Sequence, residues 1–426
     1  MWIWVQRIAI PHQQVESATL GIPRGNLSDL YPRWLGAREL LLHHRDPYGT
    51  DITREIQTGY YGRPLDSSLP NDPRDQQAFA YPLYVVFLLA PTVTMPFFLV
   101  QKIFLILLIV LTVASVLLWL RATRCNILST SKLTWIVLAV GSFPAIQGFK
   151  LQQLTLLVAA LLAGSMAAIV DRRFAFAGIL LALATIKPQL VLLPVVWLAL
   201  WTFANWRERQ RLFWSFSISM LALAGCADIV LPGWIREFRA ASADYYRYTG
   251  GGRSVLDVAL TPVWGRALSV ILIAVTLVFL WRKRKAAEGT PDFSWSMALV
   301  LATTIVVIPM FAPYNQLLLL PAAMLIVAVI RELWMANRIV RFLTVATAAT
   351  FLWPWAAAVM LSLGVPFLAP STIQKAWAIP LFPSLAVPVV TAALLLVGRG
   401  IFTSYRTSRA PCDRERPQSS LVSDGE

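Results

Sequence analysis

The sequence predicts an all-α fold, a polytopic transmembrane helical bundle of about eleven spans with short half-helices among them and a polar N-terminal segment outside the cytoplasm. Three observations predict it. Of the 426 residues, 57% are hydrophobic and 14% charged, against roughly 45–50% and about 25% in soluble domains, so a soluble globule would lack the polar residues to cover itself. Mean hydropathy is +0.63. The net charge of +15 is also unevenly placed. Residues 1–79 carry 8 Arg, no Lys and 9 acidic residues, a balance of −1, whereas residues 80–426 carry 29 basic and 13 acidic residues, a balance of +16.

Those basic residues fall in short clusters between apolar runs. The clusters are Arg121, Arg124 and Lys132; Arg172 and Arg173; Arg207, Arg209 and Arg211; Arg282 to Lys285; Arg331, Arg338 and Arg341; and Arg399 onward. The intervening short turns hold only Lys150, Lys187 and Lys375. Such alternation is the positive-inside pattern of cytoplasmic loops. A nucleic-acid-binding protein would instead gather its charge on one face, so nucleic acid is not an expected partner and membrane lipid is.

Taken in order, residues 1–79 read as an extracytoplasmic segment with a short helix around Arg33 to Leu42. The opening MWIWVQRIAI is too short for a span and is followed by no cleavage site. Parity thus leaves an external segment with no span before it, for which two readings stand: a first helix missing from this chain, or downstream helices that carry the segment across. Apolar windows then place spans at about 97–120, 133–148, 152–170, 174–186, 188–203, 212–232, 263–281, 294–312, 314–333, 342–363 and 376–398. Three of these, 133–148, 174–186 and 188–203, are short and read as half-helices around Lys150 and Pro188. Irregular backbone at membrane depth is tolerated where it lines a cavity. The bundle occupies 80–400 with an external loop at 233–262, and 401–426 reads as a disordered cytoplasmic tail. Cys125, Cys226 and Cys412 allow neither a disulfide framework nor a metal spacing, and neither metal nor cofactor is expected. No internal or inverted repeat is evident.

The chemistry-bearing residues concentrate in 26–84 and at a few polar points within the spans. Asp29 precedes Tyr31, Arg33 and Trp34, and two readings of it stand: a helix N-cap, or a general base toward a sugar or polyol hydroxyl. Asp46 before Pro47 reads as an Asx turn, Asp51 and Asp75 as solvated loop charges. His43 and His44 are adjacent on a helix, point about 100° apart, and make poor co-ligands for a metal. Lys187, between an apolar run and Pro188, either binds a phosphate as a point charge or snorkels to the interface. Gln152 and Gln153 either donate to sugar hydroxyls or join helices. Tyr314, Asn315 and Gln316 form a polar turn at an outer span end. The external DYYRYTGGGRS, Asp244 to Ser254, reads either as a lid whose Tyr rings and Arg247 and Arg253 hold carbohydrate or phosphate, or as an interfacial amphipathic segment. No Walker or dinucleotide glycine pattern follows a strand.

In this order, these pieces resemble the integral-membrane GT-C glycosyltransferases, specifically glycosyltransferase family 87. The resemblance rests on Asp29 with Tyr31, the DPYG turn at Asp46 to Gly49, FAYPLY at Phe79 to Tyr84, QQLTLL at Gln152 to Leu157, AGILLALATIKPQ at Ala177 to Gln189 and APYNQLLLLP at Ala312 to Pro321. It implies an inverting transfer of a hexose, mannose first among them, from a polyprenyl-phosphate-linked sugar to a lipid or glycan acceptor on the extracytoplasmic face of the cell membrane. It maps the catalytic Asp onto Asp29 and the membrane Lys before Pro onto Lys187. Arg247 and Arg253 are then expected beside the donor phosphate, and Tyr31, Tyr81, Gln153, Tyr314 and Asn315 beside substrate. The chain departs from the family in three places: the first helix is missing, Tyr-Pro-Pro appears as Tyr-Pro-Leu, and Gly-Gln appears as Gln152-Gln153. A transporter or flippase for a lipid-linked saccharide is the alternative; a single acidic residue within the spans and the missing inverted repeat count against it.

Overall fold

In a computed structural model that describes residues 1–21, 27–66, 68–124, 129–249 and 252–404, the chain is all-helical, with no strand among the described residues. The N-terminal helical stretch runs Trp2–Trp4, a π turn Val5–Ala9 and α1, Ile10–Leu20. Two further helices follow, α2 Leu30–His43 and α3 Thr50–Tyr61. The bundle comprises α4 Phe97–Ala122, α5 Ser129–Gly141, α6 Phe143–Leu151, α7 Thr155–Val170, α8 Phe174–Ala184, α9 Pro188–Ala204 and α10 Trp206–Val230. It continues through α11 Trp234–Tyr248 to α12 Pro262–Lys283, α13 Pro291–Val307, α14 Leu320–Ala328, α15 Arg338–Gly364 and α16 Ala386–Val397.

Length separates these helices into two kinds. Five of the eleven predicted spans coincide with helices long and apolar enough to cross a bilayer: α4, α10, α12, α15 and the stretch Pro370–Val397 that ends in α16. The predicted 133–148 span is α5 and α6, bent by 53° between them. The other five, α7, α8, α9, α13 and Pro313–Ala328, are shorter apolar helices, so five helices, or six with the bent pair, have the length and composition of a span among the described residues. At about 1.5 Å per residue the 11-residue α8 rises about 16 Å, half of a hydrocarbon core of about 30 Å.

Burial explains the division. Nearly every residue of α7 and α13 is buried, whereas α10, α12 and α15 turn apolar side chains outward: Leu221 is 73% exposed, Val263 76%, Phe342 70%. A belt of that size is not sustained in water; lipid is the medium that fits it. Centrally, close approach replaces solvent. A Cβ on Gly178 of α8 would fall 2.6 Å from the Leu212 carbonyl oxygen of α10, so glycine there sets the separation of the two helices. The Thr276 and Thr303 hydroxyls, 3.0 Å apart, join α12 to α13.

Two ties set the long axis. Gln152 donates through Nε2 to the Gln101 carbonyl, 2.5 Å, and Arg121 pairs with Asp171 at 2.7 Å. From Gln101 to Arg121 is 121 − 101 = 20 residues of α4, about 30 Å of helix rise, which is the thickness of the hydrocarbon core. The basic turns meet at one end: Arg172 reaches Glu208 and Glu288, and Lys283 reaches Asp292. Arg207, Arg209 and Arg211, predicted in a loop, are instead in the first turns of α10.

The N-terminal segment departs from its reading as uniformly polar. Trp4, Val5, Ile8 and Ala9 pack on Ile146, Ala358 and Ile373, Trp4 Nε1 donates to the Trp377 carbonyl at 3.2 Å, and His12 stacks on Trp377. Cys226 is exposed on α10; Cys125, Cys412 and the predicted tail after Ser404 lie outside the described residues.

Candidate functional site

Opposite the basic turns, the break between α6 and α7 holds the site together. Ser142 caps α6, its hydroxyl accepting from Ala145 N, and the helix ends where Gln152 turns left-handed, φ 50. Three consecutive residues there grip the start of α2. The Leu151 carbonyl accepts from Asp29 N at 3.1 Å, Gln152 Oε1 accepts from the Ser28 hydroxyl, and Gln153 Nε2 donates to the Asp29 carboxylate. Asp29 stands at the N-cap position of α2, yet its side chain makes no cap bond and its backbone is helical, φ −62, ψ −9. The carboxylate is thus aimed at the bundle. Arg33, one turn on, donates to the Asp29 carbonyl.

Lys187 precedes α9, whose first residue, Pro188, needs no N–H partner. The side chain is 5% exposed and donates to Gln153 Oε1 at 2.7 Å and Thr155 Oγ1 at 2.8 Å; Thr155 donates in turn to Asn315 Oδ1 at 3.1 Å. The Tyr314 ring lies 5.2 Å from the ammonium and the Tyr81 ring 5.9 Å. A continuous chain therefore runs from the Asp29 carboxylate through Gln153, Lys187 and Thr155 to Asn315.

The DPYG and FAYPLY segments brace this arrangement. Asp46 Oδ1 accepts from Tyr48 N at 2.9 Å, the Asx turn the sequence suggests. The Tyr48 hydroxyl then donates to the Tyr81 carbonyl at 2.7 Å. Phe79 fills the space over Gly36 of α2, where a Cβ would come within 2.5 Å of its ring. Tyr84 donates to the Thr185 carbonyl at 3.0 Å, fixing the segment to the turn that carries Lys187.

These residues surround a cavity of about 400 Å³. Asp29, Tyr81, Gln153, Lys187, Tyr314 and Asn315, all named from sequence, line it. Among the further residues that line it are Arg33 and Asp75, absent from the predicted site, and Tyr245, from the Tyr-rich segment one reading of which is a lid. The Arg33 guanidinium covers the Tyr81 ring at 4.5 Å; burial opposes its charge, but Tyr81, Asp29, Tyr245 and Asp75 outweigh burial and hold its proton affinity above the ordinary value. Asp75, read as a solvated charge, accepts from Gln77 N at 3.0 Å and Gln77 Nε2 at 2.9 Å, and burial raises its proton affinity. The apolar wall comes from Leu190, Phe238, Met310 and Phe311.

Arg247, Arg253 and Tyr31 are not brought to the cavity. α11 turns Phe238, Ser242, Tyr245 and Tyr246 to it, whereas Arg247 lies on the outer face, its side chain 79% exposed and paired with Asp244. Arg253 is exposed and contributes only its carbonyl, which accepts from Met310 N at 3.1 Å. The glycines Gly250 and Gly251 of the suggested lid lie outside the described residues. Tyr31 packs edge-on to Phe97, centroids 4.9 Å apart, with its hydroxyl over Gly59 of α3. His44 ends α2 in a left-handed cap, φ 54. A periodicity signal for the missed residues exists: 238, 242 and 245 share one face of a helix, and 247 stands about 200° from 245 at 100° per residue.

The glycosyltransferase family 87 model matches residues 79–309, which is 309 − 79 + 1 = 231 of 426 residues and more than half of the chain. No curated protein and no solved structure matches the chain. Tyr81, Gln153 and Lys187 fall within the matched residues, whereas Asp29, Arg33 and Asp75 precede them and Tyr314 and Asn315 follow. With its apolar helices and this match, the chain belongs to glycosyltransferase family 87 and is a membrane glycosyltransferase.

Proposed function

We propose that the cavity transfers a hexose, mannose first among candidates, from a polyprenyl-phosphate-linked sugar to a lipid or glycan acceptor, with inversion, in a bundle of GT-C type at the extracytoplasmic face of the cell membrane. One observation carries the reading: a single cavity holds the Asp29 carboxylate and two cations, Lys187 and Arg33, neither of which forms an ion pair among the described residues. Charges left without ionic partners inside a protein call for a charged ligand.

Each group has a task in the transfer. The acceptor O–H gives its proton to Asp29 while its oxygen bonds to the anomeric carbon. The bond from that carbon to the phosphate oxygen breaks on the opposite face, its electron pair leaving with the polyprenyl phosphate. Lys187 and Arg33 stabilise the charge that develops there; Arg247 and Arg253, outside the cavity, have no part in this scheme. The apolar wall of Leu190, Phe238, Met310 and Phe311 suits the prenyl chain. Asp75 and Tyr245, on the external side, suit the hydroxyls and apolar face of a sugar. The basic turns at the other end support the extracytoplasmic placement.

A transporter or flippase for the same lipid-linked saccharide would move the donor and leave it intact. The purified protein is therefore incubated with radiolabelled polyprenyl-phosphohexose and membrane acceptors. Consumption of donor with release of polyprenyl phosphate is expected; a donor translocated but chemically unchanged would overturn the proposal.

A further inference from the structure

The side-chain amide of Gln153 lies between the two charges on which the proposed transfer depends, and chemistry dictates which way round it lies. A carboxylate only accepts and an ammonium only donates, so Nε2 faces Asp29 and Oε1 faces Lys187. The residue is 3% exposed. Its backbone is equally constrained: Gln153 N donates to the Gly148 carbonyl at 2.9 Å. The residue before it holds a left-handed conformation that a non-glycine residue keeps only where its surroundings enforce it. Both ends of the amide are thus committed to protein groups, so the residue is held in place as a bridge rather than presented to substrate.

We infer that Gln153 is a positioning residue for sugar transfer: its amide sets the spacing between Asp29 and Lys187 and stabilises the Asp29 carboxylate by donating a hydrogen bond to it. The ammonium on the carbonyl end polarises the amide and strengthens donation at the other end. The inference rests on the general-base reading of Asp29. Other charged groups face Asp29 too: Arg33 from its own helix, Lys187 from the turn before α9 and Asp75 from the external loop. Tyr60 and Tyr61 of α3, Tyr81, Tyr245 of α11 and Tyr314 are the remaining titratable neighbours. A substitution at 153 leaves these residues in the chain, so a change in the acid limb of the rate profile reports the amide.

The test measures initial transfer rates against pH for the full chain and for Gln153→Met, Gln153→Glu and Asp29→Asn, with radiolabelled polyprenyl-phosphohexose as donor. Loss of a hydrogen bond to a charged group lowers kcat for Gln153→Met by about ten- to a hundred-fold. It moves the acid limb to higher pH, because the protonated carboxyl no longer competes with a donated bond. Gln153→Glu keeps an acceptor for Lys187 but sets a like charge beside Asp29, and shifts the limb the same way; it serves as the reading if Gln153→Met does not fold. An unmoved acid limb with kcat within about three-fold of the parent would overturn the inference, as would a loss confined to donor KM. Asp29→Asn separates the two readings. If it is inactive while the position-153 variants are unshifted, the bridge alone fails; if it turns over, the general-base reading fails and the bridge with it.

Discussion

The cavity and the basic end of the bundle handle charge in opposite ways. At the basic end, cations meet carboxylates: Arg121 with Asp171, Arg172 with Glu208 and Glu288, Lys283 with Asp292. Arg209 lacks a carboxylate but is held by backbone, its two terminal nitrogens donating to the Trp201 carbonyl at 2.8 Å and the Ala286 carbonyl at 3.1 Å, with its guanidinium 3.6 Å from the Trp201 ring centre. Inside the cavity, Lys187 is held by neutral oxygens and Arg33 by a carbonyl and a ring. Charges that satisfy each other hold helices in register. Those held by neutral groups keep their field for a ligand.

Substitutions at each end should separate these roles. Lys187→Met is expected to cause the largest loss of activity, about a hundred-fold or more in kcat/KM for the donor, in a protein that remains folded. Arg209→Met should do the reverse, costing about 2–3 kcal/mol of stability by thermal unfolding in detergent while the rate per folded molecule stays near the parent's. Tyr48→Phe, which removes the brace on the Tyr81 carbonyl, should cost about 1 kcal/mol together with a several-fold loss of rate. Smallest of all, Arg172→Gln should change stability by less than about 1 kcal/mol, since its side chain is 60% exposed. Equal activity losses from Arg172→Gln and Lys187→Met would erase the distinction.

Asp75 gives the comparison a pH dependence. Burial raises its proton affinity above the ordinary value of 3.8, so the native state binds this proton more tightly than the unfolded chain. Its contribution to stability therefore falls as pH rises from 3.8 through the raised value. Asp75→Asn, which removes the titration, should unfold at a higher temperature than the parent at neutral pH, with the difference vanishing below about pH 4.

Much of the bundle side of the site was legible in sequence because polar residues inside apolar runs are costly and few. Lys187, Gln153, Asn315 and Tyr314 each stand at a helix break, where the hydrophobic pattern itself lapses. Of the two readings of Gln152 and Gln153, helix joining is what their hydrogen bonds do. Asp75 was not legible: a carboxylate in a Pro-rich loop looks solvated until Gln77 folds back on it and α11 closes over the same cavity. Arg33 and Asp29 are a turn apart, which made their proximity readable, but that Arg33 faces Tyr81 depends on the long return of the chain through α3. The gap between eleven apolar runs and five or six helices of spanning length has one reason. Apolar composition marks α7 and α13 as buried, and burial among neighbouring helices leaves the same signature as burial in lipid.

The proposal that Asp29 takes the acceptor proton in this cavity is tested by Asp29→Asn. With purified variant, radiolabelled polyprenyl-phosphohexose and acceptor, the account predicts no release of polyprenyl phosphate while donor binding persists, because Lys187 and Arg33 are untouched. Release at a rate near the parent's would contradict it.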